Sequence, residues 1–110
     1  MQLTLDVCSD ATLLRVAGSF DAVTVADFEA EWKKAVDAGT TKLVVDLSGV
    51  DYISSAGLRG VLLLAKTSKA RGFGLAFAGL TGMVADMFKL SGFLTILTVY
   101  PDADTAAAAL

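Results

Sequence analysis

Apolar and polar residues alternate at the start of the chain. From Leu3 to Val7 every second residue is apolar, which predicts a strand with one buried face. A turn at Ser9-Asp10 precedes a second strand around Leu13 to Val16, and Gly18 to Ala22 is predicted to be a loop. The chain therefore opens with a β-hairpin.

Helical spacing begins after this loop. Thr24 followed by Asp27 resembles a capping box with a short acid, and Gly39 is predicted to end the helix. Its apolar face carries Val25, Phe28, Trp32 and Ala35. The next segment, Lys42 to Leu47, has three consecutive apolar residues, which indicates a strand buried on both faces.

Helices and strands continue to alternate up to the end of the chain. A helix from Ser55 to Ala70, ended by Arg71-Gly72, has an apolar stripe of Leu58, Val61, Leu62 and Ala65. We then expect a strand at Phe73 to Ala78, a helix from Thr81 to Ser91, a strand at Leu94 to Val99 and a helix at Asp104 to Leu110. The order β-β-α-β-α-β-α-β-α predicts one α/β domain over residues 1–110, with a mixed, mostly parallel sheet covered by about four helices.

Composition narrows the class of protein. Hydrophobic residues make up 55% of the chain, which favours a compact domain, and a net charge of −3 gives no basic surface for nucleic acid or an anionic membrane. No signal peptide or membrane-spanning segment is recognisable. The single cysteine, Cys8, is predicted to be a small buried hydrophobe and fits a reducing compartment, so we expect a cytoplasmic protein.

Residues for catalysis are scarce. The chain has no histidine, which removes Ser-His and Cys-His nucleophiles and the commonest metal ligand. The glycines between Arg71 and Gly79 match neither the dinucleotide fingerprint nor a P-loop. We therefore expect no enzyme activity, no cofactor and no metal.

Two adjacent serines mark the most informative segment. Ser54 and Ser55 follow a strand-like region and stand at the predicted start of a helix, where free N–H groups and the helix dipole favour a phosphate. One interpretation is that a serine caps the helix. The other is that this loop is a phosphorylation switch presented to a partner protein.

The segment from Asp46 to Leu58, DLSGVDYISSAGL, resembles the signature loop of STAS domains, the family of bacterial anti-anti-sigma factors (anti-sigma factor antagonists). Upstream, Gly18-Ser19-Phe20-Asp21 is similar to the Gly-x-x-Asp turn of that family. The resemblance covers essentially the whole chain. It implies the same α/β fold and a regulatory role in partner switching.

In the family the second serine of an Asp-Ser-Ser-Gly-Leu loop is phosphorylated. Aligned on Gly57-Leu58, that position is Ala56 here, the aspartate position is Ser54, and only Ser55 matches in type. The resemblance thus leaves three outcomes open: phosphorylation of Ser55, our first choice; phosphorylation of Ser54; or a constitutive binder without phosphate. Asp21 matches the loop aspartate near the acceptor.

A surface next to the serines is the predicted partner contact. Arg59, Leu63 and Lys66 share a helix face away from the apolar stripe, although an incidental exposed leucine between solvated charges is an equally good interpretation. The predicted partner-binding set is Asp21, Ser54, Ser55, Ala56, Gly57, Arg59, Leu63 and Lys66.

The resemblance implies a specific partner, an anti-sigma factor that is also a serine kinase with a histidine-kinase-like ATP-binding fold. The unmodified domain would bind the kinase and free its target, and phosphate from Mg-ATP would reverse this. The runner-up is a non-phosphorylated STAS adaptor subunit of a lipid-transport ABC complex. We expect a monomer or weak dimer without membrane insertion.

Overall fold

Helices cover both faces of one central sheet in the computed structural model, which describes all 110 residues. The strands are β1 (Gln2–Cys8), β2 (Ala11–Phe20), β3 (Lys42–Ile53), β4 (Gly74–Ala78) and β5 (Val99–Tyr100). The helices are α1 (Val25–Asp37), α2 (Ser55–Arg71), α3 (Gly82–Leu90) and α4 (Ala103–Ala109), with a 3-10 turn at Phe93–Thr95. None of these helices has the length and apolar character that crossing a bilayer requires.

The strands lie in the order β1-β2-β3-β4-β5. β1 is antiparallel to β2, and every other pair is parallel, which confirms the predicted mixed, mostly parallel sheet. One face carries the larger core, to which α1, α2 and α3 contribute. The other face carries a smaller core, in which Leu13 and Val44 meet Ala106 and Ala107 of α4. β3 is therefore buried on both faces, as its apolar run predicted.

β2 and β3 are longer than predicted. β2 continues through the expected loop to Phe20, and β3 continues past Leu47 to Ile53. The two strands pair with each other along this extension, with register shifts between Arg15 and Ala17 and between Gly18 and Ser19. Backbone pairing between neighbouring strands does not require apolar side chains. The polar residues of these extensions therefore give no hydrophobic pattern that would predict a strand.

The predicted strand at Leu94 to Val99 is wrong. Phe93 is buried, and its ring packs 5.5 Å from that of Phe88, so the chain coils into a 3-10 turn beside α3. Leu94 and Ile96 are exposed, and only Val99–Tyr100 joins the sheet. Because only some residues of this apolar segment are buried, its hydrophobicity alone does not indicate a strand.

Two burial predictions also need correction. In α2 the structure buries Leu58, Val61 and Leu64, whereas Leu62 and Ala65 are only half-buried, because the helix turns a slightly different face to the sheet. Cys8 is half-buried and not fully enclosed. Its thiol donates a hydrogen bond of 3.3 Å to Asp104, and this bond raises the pKa of the thiol.

Candidate functional site

The carboxyl ends of β2 and β3 bring two loops together. These strands are parallel neighbours, and Phe20 at the end of β2 pairs with Ile53 at the end of β3. The N–H of Ser54 donates to the carbonyl of Phe20 at 2.9 Å. The chain therefore enters α1 and α2 at the same edge of the sheet, and the predicted residues Asp21 and Ser54 belong to adjoining loops.

The loop before α1 is held by its own side chains. Asp21 Oδ1 accepts hydrogen bonds from the N–H groups of Val23, at 3.0 Å, and Thr24, at 3.2 Å. In return, Thr24 Oγ1 accepts from the N–H of Asp21 at 3.0 Å and donates to the carbonyl of Ser19 at 2.9 Å. The predicted capping box of Thr24 with Asp27 does not form, because the threonine hydroxyl turns back towards the preceding loop.

The two serines before α2 have different roles. Ser54 is the N-cap: its Oγ accepts a hydrogen bond from the N–H of Gly57 at 3.3 Å, and the residue is half-buried. Ser55 is the first helical residue and is exposed. Its hydroxyl makes no hydrogen bond within the chain, whereas that of Ser54 is already used to cap the helix.

Two glycines press the start of α2 against its neighbours. A Cβ on Gly57 would lie 2.5 Å from the carbonyl oxygen of Phe20, and one on Gly60 would lie 2.5 Å from Cγ2 of Val25. Gly57 therefore permits contact with the end of β2, and Gly60 permits contact with α1. These contacts fix the position of the first turns of α2, which carry Ser55.

A shallow groove of about 310 Å³ runs between α1 and α2 beside the serines. Val25 and Glu29 line it from α1, and the predicted partner-binding residues Ala56, Arg59 and Leu63 line it from α2. Arg59 and Lys66 are exposed, and Leu63 is 42% exposed. Their role in binding a partner stays a prediction.

Two further exposed apolar residues lie on the chain segments that lead into α1 and α2, and sequence reasoning missed them. Val23, in the loop before α1, is 85% exposed, and Tyr52, near the end of β3, is 45% exposed. Val23 could have been found as an apolar residue in a polar turn outside any helical or strand period. Leu63 of α2 is a third exposed apolar residue.

Charges at the site are available to a partner. The ion pairs of the chain join Lys33 to Glu29, Lys34 to Glu31, Lys42 to Asp10 and Arg71 to Asp37, so Arg59 and Lys66 have no internal counter-ion. Asp51 is exposed on the final residues of β3. No three acidic, cysteine or histidine side chains are grouped so that they could hold a metal ion.

We define the serine-loop surface as this set of residues: Asp21, Val23, Tyr52, Ser55, Arg59, Leu63 and Lys66. It combines a free hydroxyl at a helix N-terminus with exposed apolar side chains and unpaired cations. No base of the histidine type exists in the chain to activate that hydroxyl.

Sequence comparison identifies a family and relatives, one of which matches over nearly the full length. The STAS domain family model matches residues 2–106. A Bordetella bronchiseptica protein with the provisional name anti-sigma factor antagonist BtrV is 38% identical over 109 residues, which cover 99% of this chain and 94% of BtrV. The anti-sigma-F factor antagonist RsfB of Mycobacterium tuberculosis is 35% identical over 65 residues, covering 59% of this chain and 51% of RsfB.

Comparison with solved structures gives the same fold. An anti-sigma factor antagonist from Mycobacterium paratuberculosis superposes with a TM-score of 0.86 at 24% identity, over 98% of this chain and 92% of the other. The unphosphorylated form of the anti-sigma factor antagonist SpoIIAA superposes with a TM-score of 0.73 at 15% identity, over 98% and 96% of the two chains. At these identities the likeness establishes the fold.

Proposed function

This chain belongs to the STAS domain family, and on that premise we propose that it is an anti-sigma factor antagonist controlled by phosphorylation of Ser55. The observation that carries the proposal is the difference between the two serines. Ser54 uses its hydroxyl to cap α2, whereas the Ser55 hydroxyl is exposed and free. The name of the full-length relative BtrV supports the anti-sigma factor as partner.

In the unmodified state the serine-loop surface binds the anti-sigma factor. Val23, Tyr52 and Leu63 supply apolar area that is exposed in the free chain, and such area stabilises an interface when it is buried. Arg59 and Lys66 supply cations without internal partners, which favour an acidic surface on the anti-sigma factor. Binding occupies the anti-sigma factor and releases its target.

Phosphorylation ends the complex. The kinase brings Mg-ATP and the base; the Ser55 Oγ–P bond forms, the bond from the γ-phosphorus to the bridging oxygen of ADP breaks, and the serine proton goes to the kinase. A phosphoserine adds about −1.5 to −2 charges. In the free chain this charge stays in water at the N-terminus of α2, where the helix dipole favours it. In the complex it would have to be desolvated beside apolar side chains, so affinity falls.

We also infer that the chain acts by binding and not by catalysis. The absence of histidine and of grouped metal-ligating side chains supports this. Incubation of the purified chain with ATP alone should leave the ATP intact. Turnover of ATP or another small molecule by the pure chain would contradict the inference.

The test of the phosphorylation site uses the partner that co-purifies with the chain from its native cell. With that kinase and Mg-ATP, mass spectrometry should find one added phosphate, on Ser55. Ser55→Ala should abolish it, and the matched control Ser54→Ala should retain it. Ser55→Asp should weaken binding of the kinase.

Ala56→Ser completes the design, because it places a hydroxyl at the position that the family uses. If the kinase phosphorylates only this introduced serine and never Ser55, the proposed acceptor is wrong. If a tightly bound kinase transfers no phosphate to the unaltered chain, the chain is a constitutive binder. Co-purification of transporter subunits instead of an ATP-binding kinase would favour the adaptor alternative.

A further inference from the structure

The outer edge of β1 is a row of backbone groups without a partner. β1 is the first strand in the sheet and is bonded to β2 alone. None of the backbone hydrogen bonds outside the regular elements involves Gln2–Cys8. The opposite edge is formed by β5, which has only 2 residues, whereas β1 has 7.

Natural proteins block long free edges with lysine, proline or a bulge, because such edges pair with strands of other chains. β1 reads QLTLDVC and contains no lysine and no proline. Its register with β2 runs without a shift from Gln2 to Cys8. Only Asp6 carries a charge, so this edge is open to an added strand.

The hairpin turn determines which residues of β1 face outward. Cys8 pairs with Ala11 around the two-residue turn Ser9-Asp10, and Ser9 has the positive φ of 58° that such turns use. Residues that flank a two-residue turn form a hydrogen-bonded pair, and bonded and non-bonded pairs alternate along an antiparallel ladder. The N–H and carbonyl groups of Leu3, Leu5 and Val7 therefore point away from β2.

We propose that this chain forms a symmetric dimer in which β1 pairs antiparallel with β1 of a second copy, with Leu5 opposite Leu5. In this register Leu3 lies opposite Val7 of the second copy, so all three outward positions can form ladder hydrogen bonds. Gln2 lies opposite Cys8, and the full length of the strand is used. Val7, which is 78% exposed in the single chain, gains an apolar neighbour.

Charge favours a second copy in this register. Asp6 lies opposite Thr4 of the second copy. Within that copy's hairpin Thr4 pairs with Arg15, an exposed cation without an ion-pair partner in the chain. The register therefore brings the Asp6 carboxylate of one copy towards the Arg15 cation of the other. A shift centred on Asp6 would place two Asp6 carboxylates directly opposite each other, which destabilises a strand pair. A shift centred on Thr4 would shorten the paired segment to Gln2–Asp6.

The first test measures mass in solution by sedimentation velocity as the protein concentration is raised. We expect the unaltered chain to shift from monomer to dimer, as small interfaces give weak dimers. Val7→Pro removes one outward N–H without touching the ladder to β2, a place where edge strands tolerate proline. It should remain monomeric with its fold retained in a thermal melt, whereas the control Val7→Ala keeps the N–H and should still dimerise.

The second test reads the register by disulfide formation and does not depend on how Val7→Pro folds. Under mild oxidation Gln2→Cys should give a covalent dimer through the native Cys8 of the second copy. Gln2→Cys combined with Cys8→Ser should not, and neither should the unaltered chain, because its two Cys8 residues lie at opposite ends of the paired strands. A chain that is monomeric at every concentration overturns the proposal. So does a dimer that survives Val7→Pro and gives no Gln2→Cys crosslink, since it would assemble through another face.

Discussion

Two helix starts lie side by side at one edge of the sheet, and they are built in opposite ways. Before α1, Asp21 and Thr24 bond to each other and to the surrounding backbone, so the polar groups of this turn are used internally. Before α2, Ser54 supplies one side-chain bond, and the next residue, Ser55, is exposed with a free hydroxyl. At the start of α1 the side chains of Asp21 and Thr24 are used in internal hydrogen bonds. At the start of α2 the Ser55 hydroxyl remains available to a partner.

The difference shows that residue type alone does not distinguish a capping serine from a free one. Ser54 and Ser55 are adjacent and chemically identical, yet a single hydrogen bond to Gly57 commits one of them to the fold. The same holds for Asp21, whose carboxylate fits a family position but already holds the turn before α1. Under the proposed function, the free hydroxyl of Ser55 is the one available to a kinase.

Among the substitutions in the first turns of α2, Gly57→Ala should have the largest effect on stability. The added Cβ would lie 2.5 Å from the backbone oxygen of Phe20, which cannot move without bending β2. Overpacking of this kind costs about 1–3 kcal/mol and sometimes more. We expect a clear loss in the free energy of unfolding, measured by denaturant titration.

Gly60→Ala is the matched control for this prediction. Both substitutions replace glycine by alanine in a helix and gain about 1 kcal/mol in helix propensity. At Gly60, however, the added Cβ would lie 2.5 Å from Cγ2 of Val25, a side-chain atom that can shift. Gly60→Ala should therefore destabilise less than Gly57→Ala. Equal losses would mean that contact with β2 does not fix the start of α2.

Leu63→Asp tests whether the free surface at the start of α2 extends along the helix. Burial of a leucine contributes about 1.5–3 kcal/mol by area, so we expect affinity for the anti-sigma factor to fall at least about tenfold. The melting temperature should change little, because Leu63 is exposed. Calorimetric binding and thermal melts measure both quantities.

Its neighbour Leu64 provides the contrast. Leu64 is fully buried, and Leu64→Asp would place an unpaired charge in the core, so this variant should unfold. If Leu63→Asp binds with unchanged affinity, or loses its fold as Leu64→Asp does, our assignment of the free face of α2 is wrong.

The sequence predicted the features that depend on local pattern. Helix α2 begins at Ser55 and ends before Gly72 as expected, and β3 is buried on both faces, because capping residues, glycine at a helix end and consecutive apolar residues act over a few positions. The order of the elements and the mostly parallel sheet followed from their alternation.

What failed depends on contacts between distant residues. The extension of β3 to Ile53 arises from pairing with β2, and the 3-10 turn at Phe93–Thr95 arises from packing on Phe88. At the candidate site, the exposure of Val23 and the turn between Asp21 and Thr24 also depend on three-dimensional neighbours. Sequence could name both serines, but only the structure distinguishes the cap from the free hydroxyl.

The smallest effects are expected at the serines themselves, and they separate the capping serine from the exposed one. Ser54→Ala removes the bond to the Gly57 N–H and should destabilise the domain by about 0.5–1 kcal/mol, the lower part of the range for lost N-caps, because this bond is long at 3.3 Å. Ser55→Ala removes an exposed hydroxyl that bonds to nothing in the chain and should stay within about 0.5 kcal/mol of the unaltered protein. Denaturant unfolding of the two variants measures the difference directly. If Ser55→Ala lowered the free energy of unfolding more than Ser54→Ala does, the Ser55 hydroxyl would stabilise the fold. It would then not be free, and the contrast drawn between the two helix starts would be wrong.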